Sequence, residues 1–364
     1  MSEHSRFHLS FLIPFFLILS LAFTPGVRAS LQESENAEQY YKDGLSRYES
    51  GHYQEAIEAY KHAISLRPDN PDANYNLGMA YSSLGQYKEA IEAYKRAIQI
   101  KPDYETAYYN LGHAYSNLQK YDDSIKAFRR AIRSKPDYIE AYYGLGNAYF
   151  QSGEDEKAVH TFEEAIRLKP DNPYAYFNLG LLYFPFGPYA EAIDAFTQAI
   201  LRDSRYSEAY YRRAYAYLYM GRGDSAATDA ETYLSLKGWR AEHSPQMVIV
   251  AYFGNRQARR DANARKVLED AASRLDRSTW PYPAVEYLRG DISARRFFSQ
   301  ADDEAKKNEA RAYIGLSLSL SGHHKPALNH LRWVKEHSRA GALERSLALS
   351  EIDRIKTSLA ISAK

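Results

Sequence analysis

The chain has no cysteine. That excludes a disulfide framework, a thiol nucleophile, cysteine-ligated zinc and a lipid-modified N-terminal cysteine. It also lacks an excess of either charge. The 47 Lys and Arg residues face 46 Asp and Glu, a formal net charge of +1, without the basic footprint that nucleic-acid binding requires. No G-x-x-x-x-G-K-[ST], G-x-S-x-G or H-E-x-x-H string occurs, so no phosphate loop, nucleophile elbow or zinc-hydrolase helix is signalled. What is abundant is tyrosine: 33, against 15 Phe and 3 Trp in 364 residues. The remaining balance, 45% hydrophobic and 26% charged, is that of an ordinary folded protein.

One uncharged apolar run stands apart, at residues 9–23. Arg6 is the only certain positive charge before it, and Val27-Arg28-Ala29 follows. A weakly positive start, a short apolar core and a small-x-Ala site describe a secretory signal peptide over residues 1–29, cleaved after Ala29. As a helix the run spans about 22 Å, short of the roughly 30 Å hydrocarbon core. The alternative is an uncleaved N-terminal membrane anchor. The expectation is an exported protein, periplasmic or secreted, with residues 30–36 as a linker.

Beyond the linker the sequence repeats every 34 residues. Pro68, Pro102, Pro136 and Pro170 keep this step, as do Gly44, Gly78, Gly112, Gly146 and Gly180. Tyr81, Tyr115, Tyr149, Tyr183 and Tyr217 form a third column, and Ala63, Ala97, Ala131, Ala165 and Ala199 a fourth. The repeats are 37–70, 71–104, 105–138, 139–172, 173–206 and 207–240. Each reads as two helices. In the second, Tyr75, Leu77, Gly78 and Tyr81 give one helix an apolar stripe, and Ala90, Ile91, Tyr94, Ala97 and Ile98 give the next. Gly85 marks the turn between them and Pro102 the stop. Gly78 and Ala90 are expected where the two helices cross, a place that large side chains would wedge apart.

These residues resemble the tetratricopeptide repeat (TPR): a large residue at position 4, Leu at 7, Gly at 8, Tyr at 11, Ala at 20, an aromatic at 24, Ala at 27 and Pro at 32. The resemblance covers residues 37–240. It implies an all-α solenoid, a right-handed superhelix of stacked helix pairs whose first helices line a concave face that binds protein or peptide segments. Region 241–307 reads as degenerate helix, and 308–364 as a TPR-like repeat with a capping helix. In the last repeat Ile314-Gly315 mimics Leu-Gly, and Gly322 marks the turn. Trp280-Pro281, the run from Tyr287 to Asp291 and the final repeat are similar to the C-terminal part of periplasmic adaptors of the NlpI kind, which differ in carrying a lipidated cysteine.

In the TPR pattern, first-helix positions 2, 5, 6, 9, 12 and 13 face the groove. Position 5 holds Tyr41, Tyr75, Tyr109, Tyr143, Phe177 and Tyr211, an aromatic ladder of the kind that anchors partners or packs between helices. Asn76, Asn110 and Asn178 at position 6 and Asn147 at position 9 suit an extended backbone, and Arg212 suits a carboxylate. The carboxylate clamp of some TPRs is incomplete here, because Tyr143 and Glu208 stand at both lysine places. The candidate groove is therefore Tyr75, Asn76, Tyr109, Asn110, Tyr143, Asn147, Phe177, Asn178, Tyr211 and Arg212.

Four departures carry expectations of their own. Asp43 replaces Leu in the first repeat, and Arg213-Ala214 replaces Leu-Gly in the sixth. Pro185 and Pro188 should shorten the first helix of repeat five, leaving either an altered turn or an apolar lip at Phe184 and Phe186. Arg222-Gly223-Asp224 reads as an inter-helix turn rather than an adhesion tripeptide. His323, His324, His330 and His337 cluster without the carboxylate a metal site would need. No catalytic residue, metal or cofactor is expected. Basic residues outnumber acidic ones beyond Arg240, and the reverse holds before it, which offers the C-terminal part to an acidic partner or anionic envelope surface. The function read from these features is a non-catalytic exported scaffold or adaptor. The alternatives are an accessory subunit of an envelope enzyme or secretion complex, a self-associating structural solenoid, and an enzyme with its site in 241–300.

Overall fold

The computed structural model describes residues 25–184 and 187–362. The apolar run 9–23, and with it the body of the expected signal peptide, lies outside the described residues. Those residues form helices, with no strand among them. The protein divides into two compact units, residues 1–161 and 162–364.

The first unit holds α1 (Pro25–Glu49), α2 (Tyr53–Leu66), α3 (Pro71–Ser83), α4 (Tyr87–Ile100), α5 (Glu105–Asn117), α6 (Tyr121–Ser134) and α7 (Ile139–Gln151); the unit boundary falls within α8 (Asp155–Leu168). Consecutive helices from α1 to α7 pack on one another, so each 34-residue repeat is a helix pair. Residues 30–36 are not a linker but part of α1. The stretch, Ser-Leu-Gln-Glu-Ser-Glu-Asn, holds neither proline nor glycine, so nothing in it breaks the helix.

Local chemistry sets each boundary. Asn70 caps α3, its Oδ1 accepting from the backbone N–H of Asp72 and Ala73 at 3.0 and 3.1 Å, with Pro71 in the first turn. At the end of α3, Gly85 has φ +72° and the Gln86 N–H closes onto the Tyr81 carbonyl at 2.9 Å. Repeat three makes the same turn with Gln119 at φ 58°, where a side chain is strained. The glycine column has a different cause. A Cβ on Gly78 would lie 2.6 Å from the ring of Tyr94, which is buried beneath it. The same holds for Gly44 over Tyr60 and Gly112 over Phe128. In these repeats bare helix backbone is thus the floor on which the second-helix aromatic packs.

The second unit continues with α9 (Pro173–Tyr183), α10 (Tyr189–Arg202), α11 (Ser207–Tyr219) and α12 (Gly223–Lys237). Helix α9 has 11 residues where α11 has 13, as its prolines require. The apolar lip does not form at Phe184. Its ring is buried against Tyr189, Phe196 and Tyr219, because the shortened helix turns it inward; Pro185 and Phe186 lie outside the described residues. Arg213 sits where repeats two to five hold leucine and is matched by a buried acid. Its Nε and Nη2 donate to both Asp229 carboxylate oxygens at 2.7 and 2.8 Å, and its Nη1 to Thr197 Oγ1 at 2.8 Å. Only Arg222 of the Arg-Gly-Asp string lies in the inter-helix turn, its guanidinium over the Tyr217 ring; Gly223 and Asp224 open α12, and Asp224 pairs with Arg260 at 2.8 Å.

The region read as degenerate contains a well-formed helix pair, α13 (Ser244–Gln257) and α14 (Asp261–Arg274), then α15 (Tyr282–Arg289) and α16 (Ala294–Ser299). Helix α13 is buried along nearly its whole length, from Met247 to Asn255. The Trp280–Pro281 bond is cis. Helices α17 (Glu304–Leu320) and α18 (His324–His337) repeat the TPR geometry, with Gly315 resting on Leu331. Helix α19 (Leu343–Ser362) then returns to α11: Tyr219 Oη donates to the Leu343 carbonyl at 2.9 Å, and Arg354 Nη2 to the Tyr219 carbonyl at 3.1 Å. Buried Glu351 joins Ser319 to Arg354. The first helix of repeat six is therefore covered by the protein's own C-terminal helix.

Candidate functional site

The position-5 ladder exists and is a packing device first. Five of its six rings sit 5.7–6.1 Å from the second-helix aromatic of their own repeat: Tyr41 on Tyr60, Tyr75 on Tyr94, Tyr109 on Phe128, Phe177 on Phe196 and Tyr211 on Tyr233. Their offset and tilted arrangement is the favoured one for aromatic pairs.

A second column, at the residue just before each first helix, completes the stack. Tyr104 covers Tyr75, Tyr138 covers Tyr109 and Tyr206 covers Phe177, at 4.9–5.2 Å. Burial pushes all three hydroxyls above the ordinary tyrosine value. Tyr104 Oη also donates to Asp72 at 2.7 Å. Sequence reasoning passed over this column, although Asn70, Tyr104, Tyr138, Asn172 and Tyr206 keep the 34-residue step. Its alternation hid it: the asparagines cap helices, whereas the tyrosines cover rings.

In the first unit, the position-6 amides tie successive repeats together. Asn76 Nδ2 donates to Tyr41 Oη at 2.9 Å, and Asn110 Nδ2 to Tyr75 Oη at 2.8 Å. A hydroxyl at position 5 thus holds the amide of the next repeat at a fixed angle. Repeat four has Gly144 at this register, pressed onto Phe128, so the series stops there. Half-buried Tyr75, Asn76, Tyr109, Asn110 and Asn147 share the first-helix face with exposed His113 and Asn117. Tyr143, by contrast, is buried, at 8% exposure.

In the second unit, Phe177 is half-buried and Asn178 is buried, its Nδ2 donating to the Tyr174 carbonyl of its own helix at 2.8 Å. Tyr211 is buried too, stacked on His243 at 4.6 Å, and burial pushes its hydroxyl up to about 12. Arg212 lies over the rings of Tyr211 and Phe184 at 5.3 and 5.9 Å. The groove expected in repeat six is filled, since α19 lies on α11 and burial extends to Tyr215 and Tyr219. The sequence could not foresee this, because the covering helix comes more than a hundred residues later.

Family models described as "TPR repeat" match residues 44–85, 80–119, 117–153 and 146–185, and one described as "Tetratricopeptide repeat" matches 173–206. Residues 44–206 belong to the tetratricopeptide repeat family. Among solved structures, MamA is 32% identical over 48% of this chain and 95% of its own, with a TM-score of 0.45. A tetratricopeptide repeat protein from Parabacteroides merdae is 20% identical over 70% of this chain and 98% of its own, with a TM-score of 0.51. YrrB, described as a TPR protein with an unusual peptide-binding site, is 22% identical over 50% of this chain and 93% of its own, at 0.41. No curated protein matches the sequence.

No TPR signature carries chemistry by itself. Among the described residues no group of three or more His, Asp and Glu side chains could hold a metal ion, and no helix is long and apolar enough to cross a membrane.

Proposed function

We propose that this TPR protein is a non-catalytic scaffold that docks an extended segment of a partner protein on the first-helix face of repeats one to four. The Asn76–Tyr41 and Asn110–Tyr75 hydrogen bonds carry this reading. They fix two amides at equivalent places in successive repeats before any ligand arrives, and such preorganisation lowers the entropy lost on binding. An amide held by one N–H keeps its carbonyl oxygen and second N–H for a peptide backbone. Tyr75 and Tyr109 supply area beside it. The best-supported groove is thus Tyr75, Asn76, Tyr109, Asn110 and Asn147. Tyr143, Asn178 and Tyr211 are buried in their own units and leave the groove as packing residues.

Export completes the proposal. It rests on the apolar run 9–23 and the Val27-Arg28-Ala29 site, and N-terminal sequencing of the protein from its native compartment should begin at Ser30 or a neighbour. Intact Met1 in the membrane fraction would favour the anchor. Docking itself is tested with Asn76→Ala and Asn110→Ala, each compared with the parent in helicity and in affinity for a partner identified by crosslinking. A genuine anchor loses roughly 2 kcal/mol of binding on truncation. If the double variant keeps its helicity and its affinity, the face is not the docking site.

A further inference from the structure

In the last helix pair, Arg311 occupies position 4, the register of Tyr40, Tyr108, Tyr142, Tyr176 and Tyr210 in the earlier repeats. An arginine there must place its charge among aromatic rings. Its guanidinium lies 4.8 Å from the ring centre of Phe298 and 4.4 Å from that of Trp333. These rings attract the cation but offer no oxygen to its N–H groups. Among the described residues Arg311 forms no ion pair, and its buried Nε has no hydrogen-bond partner. Glu309 on the same helix is already engaged, by Trp280 Nε1 and Tyr313 Oη at 2.6 Å each. A buried charged donor left without an acceptor is costly, and an oxyanion in the plane of the fork removes that cost.

The surroundings select the anion. His330 lies close enough to feel the Arg311 charge, and burial first, then that charge, push its ring below the ordinary histidine value. The ring is therefore neutral near pH 7, and its buried Nδ1 also has no hydrogen-bond partner among the described residues. One cation beside one neutral ring suits a planar monoanion better than a doubly charged phosphate. Trp333, 39% exposed and stacked on His337 at 3.8 Å, is the part of the cluster that reaches the surface.

We propose that Arg311, with His330 and Trp333 beside it, forms a carboxylate-binding site in the last helix pair, separate from the first-helix face of repeats one to four. The carboxylate comes from an acidic side group or from the free C-terminus of a peptide, and the guanidinium takes it two-pronged.

The full-length protein is titrated with two peptides while tryptophan fluorescence and melting temperature are followed. Acetylated, amidated tetraglutamate presents only the carboxylates of its glutamates, and acetylated tetra-alanine with a free C-terminus presents the terminal one only. Saturable change with either peptide is expected, with at least tenfold weaker binding in Arg311→Met and an intermediate loss in Arg311→Lys. Arg311→Met places an apolar side chain at a register that holds a ring in five of the six earlier repeats, so it should melt at or above the parent temperature. The peptide that saturates identifies the source. The inference is overturned if neither peptide gives a saturable change, if Arg311→Met binds as well as the parent, or if inorganic phosphate binds more tightly than both.

Discussion

Arg213 and Asp229 offer a sharp test of how repeat six tolerates its departure from the TPR pattern. Asp229 is buried and Arg213 largely so, with side chains 5% and 13% exposed, and two charge-assisted hydrogen bonds join them. Leucine occupies this register in repeats two to five, as Leu77, Leu111, Leu145 and Leu179. Arg213→Leu therefore restores the family residue yet strands a carboxylate. Breaking one side of such a pair costs about 3–5 kcal/mol. Replacing both sides by apolar groups is often neutral or stabilising by about 1–4 kcal/mol. The double variant Arg213→Leu with Asp229→Ala should thus be at least as stable as the parent, although the single variant is crippled. Urea melts followed by tryptophan fluorescence suit the measurement, because all three tryptophans, Trp239, Trp280 and Trp333, lie in the second unit. The pH dependence has a definite sign. Burial pushes the Asp229 carboxyl up and Arg213 pulls it back, so removing Arg213 raises it further. A carboxyl raised in the folded state is stabilising while protonated, and that stability is lost as pH rises through its folded value. The deficit of Arg213→Leu should be small near pH 4 and full at pH 7. A coupling energy below about 0.5 kcal/mol, the limit for independent sites, would refute the argument.

Three further outcomes follow from the same geometry. Gln119→Gly relieves a side chain held at φ 58° and should raise the stability of the first unit by about 1 kcal/mol, read by chemical denaturation under circular dichroism. Gly112→Leu, which drives a side chain into Phe128, should destabilise by at least about 1–3 kcal/mol in the same assay. Glu309, raised chiefly by burial, loses its stabilising contribution as pH rises above the ordinary carboxyl range, so Glu309→Gln should flatten the acid-to-neutral slope of the second unit's stability; an unchanged slope would assign that slope elsewhere.

The repeat was legible because its causes are local and recur. Gly78, Gly85 and Tyr94 each act within one 34-residue unit, and their spacing alone places α3 and α4. The site was only half legible. The TPR pattern assigns positions to a face, but it does not say whether that face is open. Tyr143 and Tyr211 share position 5 with Tyr75, and both are buried. Tyr211 lies in the repeat over which α19 folds back. Asp229 could not be matched to Arg213 from the sequence, since no periodic column announces a compensating pair. Residues 241–307 looked degenerate because α13 is apolar on all sides. A helix without a polar face gives no amphipathic signal.

The central claim is that a partner lies along the first-helix face of repeats one to four. A photocrosslinking residue placed at His113, exposed on α5, tests it against one placed at Lys126, 75% exposed on α6 of the same repeat. After irradiation in the native compartment, position 113 should yield a discrete adduct whose partner peptide is identified by mass spectrometry, and position 126 should not. Equal adducts from both positions, or an adduct from 126 alone, would contradict the account.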